Sequence, residues 1–324
     1  MTRYNYSQSL IAFAIFAVGL FVFVSVVIAD VANTSVSVGN AAPTISVNFN
    51  GGNAITLNEA TYAYATATLT ITDANGCNSI NYVKATAFLA STSAPASTIC
   101  TGNDNNCYPT SSSTASYPAL SDAVCLATTT GNQCTGGLDT SVVYDCGFKL
   151  WFIAEATDAS APSWASSIWA VAASTSDGLA STTASNTNQT VEINTLAALD
   201  LTGTLAYGSV SAGTNTGSTN STTTATTTGN IAIDAQVYGN ASYMESGANT
   251  LHIARQKYQA TPFIYSSAGV HLTSTTTPNL EFASVKTLST TSVETQLVSW
   301  GIAIESGQAN GTYTGSSTLA AVAD

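Results

Sequence analysis

The sequence has very few charged residues. Only 7% of its 324 residues are Asp, Glu, Lys or Arg, and 6 basic residues face 18 acidic ones, for a formal net charge of -12. Soluble domains commonly carry about a quarter charged residues. A nucleic-acid partner needs a clustered basic surface, which this composition does not supply. The sequence therefore predicts no nucleic-acid partner.

Residues with catalytic chemistry are also scarce. The chain has two histidines, His252 and His271, and no Gly-x-Ser-x-Gly elbow, so a serine nucleophile has little to activate it. Asp139 opens an Asp-Thr-Ser segment similar to an aspartic-protease turn, but that chemistry needs a second copy, which is absent. Glu155 and Asp158 could form a carboxylate pair of the kind that glycosidases use, and this alternative stays open. We predict that the protein is not an enzyme and that both histidines are surface residues.

Charge is missing altogether from residues 10–29. An apolar run of about twenty residues is long enough for a helix to cross a bilayer. We predict that 1–29 is a signal peptide or an N-terminal membrane anchor helix, with membrane contact through 10–29, followed by a linker at 30–40. Arg3 precedes the run, which places 30–324 outside the cell, at the surface or secreted. Cleavage after the small residues at 27–29, permanent anchoring and a filament stem remain alternatives.

Cysteines are confined to one stretch. An even number in an exported chain indicates disulfides. Metal ligation by these thiolates is disfavoured because there is no C-x-x-C and the histidines are distant. We favour two local pairs, Cys100–Cys107 and Cys125–Cys134, and a long loop closed by Cys77–Cys146. The six cysteines are Cys77, Cys100, Cys107, Cys125, Cys134 and Cys146.

Strand signals fill the chain after residue 30. Apolar and polar residues alternate, and Gly, Asn and Asp clusters separate the runs, whereas no convincing 3.6-residue period is present. In the second half we predict a hairpin through the Thr-rich 212–228 tract and a terminal hairpin that joins 298–304 to 313–322. The strands predicted in the first half are 44–49, 62–71, 83–89, 142–152, 164–172 and 189–193, with stapled loops over 91–137.

Short motifs in both halves resemble known surface modules. Ala42-Pro43-Thr44-Ile45 and the Thr-Asp-Ala-Asn-Gly turn at 72–76 resemble the immunoglobulin-like repeats of bacterial cell-surface proteins, including the PKD-like and cadherin-like types. The segments 227–231 and 311–315 resemble another bacterial β-sandwich module. The resemblance implies an all-β protein with two tandem Ig-like β-sandwich domains after the N-terminal hydrophobic helix. We place a disulfide-stapled domain at 41–195 and the second at 196–324.

Calcium is the one cofactor that the sequence suggests. Asp73 and Asn75 share one turn, and Asp104 and Asn106 share another, and clustered side-chain oxygens of this kind suit a hard cation. The same residues are also common in plain turns, and no complete twelve-residue calcium loop is present. Both interpretations stay open, and no other cofactor is expected.

Two further sets of residues bear on surface chemistry. The tryptophans Trp151, Trp164, Trp169 and Trp300 could form a sugar-binding platform, but we favour a core role for them. Glycosylation acceptors are predicted at five Asn-x-Ser/Thr triplets. Their asparagines are Asn33, Asn188, Asn220, Asn240 and Asn310.

These features together favour a non-enzymatic extracellular structural protein of the cell surface. Export, disulfides, low charge and exposed Thr-rich strands suit self-association, or association with neighbouring surface proteins, into a surface layer or a pilus-like fibre. The alternative is an adhesin or carbohydrate-binding module that presents its disulfide-stapled loops to a glycan ligand.

Overall fold

The computed structural model describes most of the chain beyond residue 33. Residues 1–39 and residues 40–324 form separate compact units. In the first unit only 34–39 are described; they have no regular secondary structure, and the predicted helix over 10–29 lies outside the described residues. None of the helices in the described part is long and apolar enough to span a membrane. The described residues are 34–90, 105–110, 125–128, 134–136, 138–185, 189, 191–275, 280–282 and 286–324.

The described part of 40–324 is all-β, as predicted, and its only helices are single 3-10 turns. The strands of the first half are β1 (Thr44–Phe49), β2 (Tyr62–Thr72), β3 (Tyr82–Leu89), β4 (Cys107–Pro109), β5 (Cys125–Ala127), β6 (Ser141–Trp151), β7 (Trp169–Ser176) and β8 (Ser181–Ser185). Those of the second half are β9 (Leu199–Thr202), β10 (Ser221–Thr227), β11 (Ile233–Gly239), β12 (Tyr243–Ser246), β13 (Asn249–His252), β14 (Gln256–Gln259), β15 (Val270–His271), β16 (Thr295–Ile302) and β17 (Ser317–Ala323).

Two four-stranded antiparallel sheets share the core of the first half. Their strand orders are β1-β2-β6-β5 and β4-β3-β7-β8. In β2 the residues alternate between buried and exposed, so that Leu69 and Ile71 enter the core while Thr68 faces out. Phe148 and Trp169 from the two sheets belong to the same buried cluster. The alternation in the sequence is therefore the direct cause of this two-layer packing.

The second half has its own hydrophobic core. A five-stranded sheet of order β15-β14-β16-β10-β9 and the pairs β11-β17 and β12-β13 surround it. Val237, Leu251 and Trp300 belong to its buried cluster, to which the first half contributes Ala156 and Ala161. The two cores thus lie within one compact unit.

Near the predicted boundary, Gly229 and Asn230 lie against residues 194–198. This contact between the halves is called the crossing. Asn230 is 1% exposed, and its amide accepts a hydrogen bond from Leu196 N (2.7 Å) and donates one to Asn194 O (3.0 Å). At Gly229 a Cβ atom would overlap the Leu196 carbonyl and crowd Ala198 N, so only glycine fits this close approach. The crossing is therefore fixed by backbone contacts.

The disulfide pairing differs from the predicted one. The described bonds are Cys77–Cys134 and Cys125–Cys146, so the predicted pairs Cys125–Cys134 and Cys77–Cys146 are wrong. The reason is that Cys125 and Cys146 lie directly opposite each other on β5 and β6. Cys107 is also disulfide-bonded, but Cys100 lies outside the described residues, and the Cys100–Cys107 pair stays a prediction.

Several strand predictions also need correction. The segment 164–172 is strand only from Trp169 onward, and the described residues of 189–193 contribute one parallel bridge, between Ile193 and Ile55. The Thr-rich tract forms one strand, β10, which lies between β9 and β16 instead of folding into a hairpin. The terminal hairpin is wrong as well, because β17 pairs with β11 and β16 pairs with β10 and β14.

Candidate functional site

A cavity of about 970 Å³ opens in the second half. Segments 201–212 and 308–317 form its rim, and side chains from β13 and β16 form its floor. A volume of this size suits a small-molecule ligand, since such sites commonly measure about 300–1,000 Å³. It is therefore the candidate binding site among the described residues.

The floor is aromatic and apolar because alternate residues of β16 point inward. Trp300 and Ile302 line the cavity, and Leu251 of β13 completes the surface. The Trp300 indole donates to Thr223 Oγ1 at 2.9 Å, and its ring centroid lies 5.6 Å from that of Tyr258. These contacts fix the orientation of the Trp300 ring.

Hydroxyl and amide groups line the same cavity. The Tyr207 hydroxyl donates to Gln256 Oε1 at 2.8 Å, and burial raises the pKa of Tyr207 well above its usual value. Gln308 Nε2 donates to Tyr313 OH at 2.6 Å, and that hydroxyl donates to Ala309 O at 2.9 Å. An apolar floor with convergent hydroxyls and amides can bind a ligand that has both apolar faces and hydroxyl groups.

Sequence reasoning missed this cavity. Its rim comes from two Gly-, Ser- and Thr-rich segments that lie about a hundred residues apart, and neither carries a catalytic or binding motif. Tyr207 and Tyr313 are the only aromatic residues of the rim. These two tyrosines were the signal in the sequence that could have pointed to the cavity. The residues around them, however, do not predict that the two segments meet.

In the described part, residues predicted to bind calcium make the hydrogen bonds of a turn instead. Asp73 is fully buried, and its two oxygens accept hydrogen bonds from Asn75 N (2.8 Å) and Ser79 Oγ (3.0 Å). Asn75 Oδ1 accepts from Ala41 N at 2.6 Å. Asn106 accepts from Leu89 N through its backbone, and Asp104 lies outside the described residues. These contacts favour the plain turn at Asp73, and calcium binding stays a prediction.

Three carboxylates come together elsewhere. Oxygens of Asp234, Glu281 and Asp324 all lie within 4.8 Å of one another. One oxygen of the buried Asp234 already accepts from Phe282 N at 2.9 Å. Calcium takes about six to eight oxygen ligands, and three carboxylates of which two are exposed do not make such a site by themselves.

The predicted glycosylation sites differ in accessibility. Asn240 and Asn310 are exposed, and Asn310 lies on the rim of the cavity. The Asn220 side-chain nitrogen is buried, and its Oδ1 accepts from Phe263 N at 2.9 Å. Asn33 and Asn188 lie outside the described residues. Asn240 and Asn310 are thus the described acceptors that an enzyme could reach.

The tryptophans lie in or against the two cores, and the histidines lie at the surface. Trp169 and Trp300 are in the two cores, as predicted, while Trp151 and Trp164 are half-buried against the first core. Both predicted surface histidines, His252 and His271, are exposed.

The carboxylates considered for catalysis are engaged in hydrogen bonds. Asp158 accepts from the backbone N and the hydroxyl of Thr195 at 2.8 and 2.6 Å. Asp139 accepts from Thr135 N, Thr135 Oγ1 and Gly136 N, and these bonds lower its pKa. Glu155 faces a lysine of the second half. Each of these carboxylates therefore has a structural partner.

No protein-family model matches the chain, and no curated protein matches it either.

Proposed function

We propose that this protein is a non-enzymatic structural protein of the cell exterior that assembles with copies of itself. In this proposal residues 10–29 direct export or anchor the chain, and each of the two cores belongs to an Ig-like sandwich. Disulfides support an oxidising compartment, in which such bonds persist. The low charge and the exposed Ser- and Thr-rich strands suit a surface protein.

The outer edge of β17 carries the proposal. In the described part of the chain β17 is hydrogen-bonded to β11 and to no other strand, and β9 comes within 8 Å of it without pairing. Its sequence, Ser-Thr-Leu-Ala-Ala-Val-Ala, contains no charge, proline or glycine, and six of its seven residues are half-buried. Natural edge strands are commonly protected by lysine, proline or a bulge. An unprotected edge of this composition favours pairing with another strand.

The strand that pairs with this edge is β17 of a second copy. Leu319 and Ala321 pack towards the core, whereas Ala320 lies on the opposite face at the centre of the strand. Antiparallel pairing about Ala320 joins the two β11-β17 pairs into one four-stranded sheet. Such a symmetric contact uses the same surface on both subunits.

A charge-swap experiment tests this contact. Ala320→Lys and Ala320→Glu each put like charges opposite each other across the dimer, and we expect each variant to dimerise at least about tenfold more weakly than the wild type, roughly 1.4 kcal/mol. An equimolar mixture of the two should recover the dimer. Thr66→Lys, on an exposed face of the internal strand β2, is the matched control. Light scattering after gel filtration gives the oligomeric state.

Different results refute different parts of the proposal. A wild-type chain that stays monomeric at high concentration would refute assembly through β17. A dimer that Ala320→Lys leaves intact would refute this edge as the contact. Negative-stain microscopy of concentrated protein then tests whether dimers associate further into layers or fibres.

The cavity favours a second function, that of an adhesin or carbohydrate-binding module. Trp300 and Tyr313 with the polar rim suit a sugar, because one face of a sugar ring is apolar and its edge carries hydroxyls. A glycan array probed with the wild type and with Tyr313→Ala tests this function. Binding that Tyr313→Ala does not weaken would place any glycan outside the cavity.

A further inference from the structure

Three side chains of complementary chemistry meet between the two halves. The two oxygens of Glu155, which follows β6, contact Asn105 Nδ2 and Lys286 Nζ, the latter at 2.8 Å. The Glu155 and Lys286 side chains are only 14% and 15% exposed. A carboxyl group thus bridges a primary amine and a primary amide in a largely buried site.

The position of Glu155 is fixed by its backbone. Its N–H donates to the backbone oxygen of Asn105 at 2.8 Å, and its carbonyl accepts from the Trp169 indole at 2.9 Å. Trp169 is fully buried in the first core. The carboxyl group is therefore held beside Asn105 by bonds that do not involve the carboxyl itself.

The Lys286 amine is in a state suited to nucleophilic attack. Its nitrogen is buried and lies 2.8 Å from Glu155 Oε2. Burial lowers the pKa of Lys286, and the attraction of Glu155 opposes that effect only in part. A lysine in such an environment has a larger share of the neutral amine, which is the nucleophilic form.

We propose that Lys286 and Asn105 react to form an intramolecular isopeptide bond, with Glu155 as the group that transfers the protons. In the observed orientation Glu155 Oε2 faces Lys286 Nζ and Glu155 Oε1 faces Asn105 Nδ2, so the carboxylate can take a proton from the amine and deliver one to the leaving amide nitrogen. Lys286 Nζ attacks Cγ, and a bond forms between these two atoms. Glu155 passes a proton from Nζ to Nδ2, the Cγ–Nδ2 bond breaks, and ammonia leaves.

The step balances without any outside reagent. One amine and one primary amide become one secondary amide and one ammonia, and no atom changes oxidation state. The chain therefore needs no oxidant or cofactor for this cross-link, only the folded arrangement of the three residues. The new bond would join the halves covalently, independently of any assembly through β17.

Peptide mapping of the full chain tests the bond. Trypsin cleaves after lysine and arginine, and the last four sites after Lys84 are Lys149, Arg255, Lys257 and Lys286. A modified Lys286 is not cleaved, so the expected product is peptide 85–149 linked to peptide 258–324, lighter than their sum by one ammonia. Loss of ammonia from the intact chain alone does not suffice, because Asn-Gly sequences such as 50–51 lose it as succinimides.

Variants assign the roles. Lys286→Arg and Asn105→Ala should release peptide 85–149 unlinked and retain the full mass, while Lys257→Arg should leave the link between Asn105 and Lys286 unchanged. Glu155→Gln should abolish the link or reduce its yield at least about tenfold, the scale of a general acid–base contribution. A Glu155→Gln chain that links fully would refute the proton-transfer role.

The wild type alone decides whether the bond exists. Quantitative release of peptide 258–286 from wild-type chain that contains the Cys77–Cys134 disulfide, a marker of the folded state, would overturn the proposal. That result would leave Glu155 and Lys286 as an ordinary buried ion pair. It would not affect the dimer test, whose readout is the oligomeric state.

Discussion

Removal of the Cys77–Cys134 disulfide should destabilise the fold by a predictable amount. The bond joins residues 57 positions apart. The chain-entropy relation assigns about 4 kcal/mol at 25 °C to the closure of a loop of that size. Cys134 is half-buried, whereas Cys77 is 4% exposed in the first core, so Cys77→Ala/Cys134→Ala removes the packing of one buried sulfur besides the cross-link. We expect the double variant to unfold with a free energy about 4 kcal/mol below that of the wild type.

The second disulfide provides the comparison. Cys125 and Cys146 are 21 positions apart, for which the same relation gives about 3 kcal/mol. Both are at most 1% exposed, so Cys125→Ala/Cys146→Ala also leaves a small void, worth about 1–2 kcal/mol more. The two losses should therefore be similar despite the difference in loop size. The pairs cross in chain order, so the combined effect should depart from the sum.

Urea denaturation and a non-reducing peptide map test these values. The map should join Cys77 to Cys134 in the wild type and keep Cys125–Cys146 in the first double variant. A stability loss below about 1 kcal/mol would refute the entropy argument, because it lies well under the usual range for a native disulfide. A map that joins Cys77 to Cys146 would refute the pairing itself.

Three further variants test the core, the cavity and the crossing. Thr223→Val should lower the free energy of unfolding by about 1–3 kcal/mol in urea titrations, because it leaves the Trp300 indole N–H buried without its acceptor. The pKa of Tyr207 is raised in the folded state, so the stability that its neutral form contributes is present below about pH 10 and is lost at higher pH. Tyr207→Phe should therefore lose less stability than the wild type between pH 8 and pH 11, roughly the window of tyrosine ionisation, measured by the same titrations. Gly229→Ala should cost at least about 3 kcal/mol, measured by thermal and urea unfolding, because its Cβ meets the fixed Leu196 backbone.

The local alternation of apolar and polar residues was enough to predict that the described part is all-β and where several of its strands lie. Alternation over 62–71 matches β2 because Ala65, Leu69 and Ile71 fill the core while the threonines between them face out. The prediction at 44–49 is confirmed by β1 for the same reason. Each of these strands has one buried face, and a period of two is then a reliable signal.

Long-range pairing was not predictable in the same way. The sequence predicts that 313–322 pairs with 298–304, but the observed strand β17 pairs with β11, more than seventy positions earlier. The small uniform residues of β17 fit either partner, so its sequence does not select one. The disulfide error has the same origin, because Cys125 meets Cys146 only once β5 lies on β6.

The joint between the halves gives a physical reason to look for covalent chemistry there. The chain has only 6 basic residues, and one of them, Lys286, makes a largely buried ion pair with Glu155. A buried ion pair contributes little net stability, since the cost of desolvation offsets the attraction. Two apolar side chains of similar size would hold the halves together equally well, but they could not react with Asn105. If the pair only stabilises, Lys286→Met/Glu155→Leu should unfold at about the wild-type temperature. If the isopeptide bond forms, the same double variant should unfold at a markedly lower temperature, and Asn105→Ala should match it.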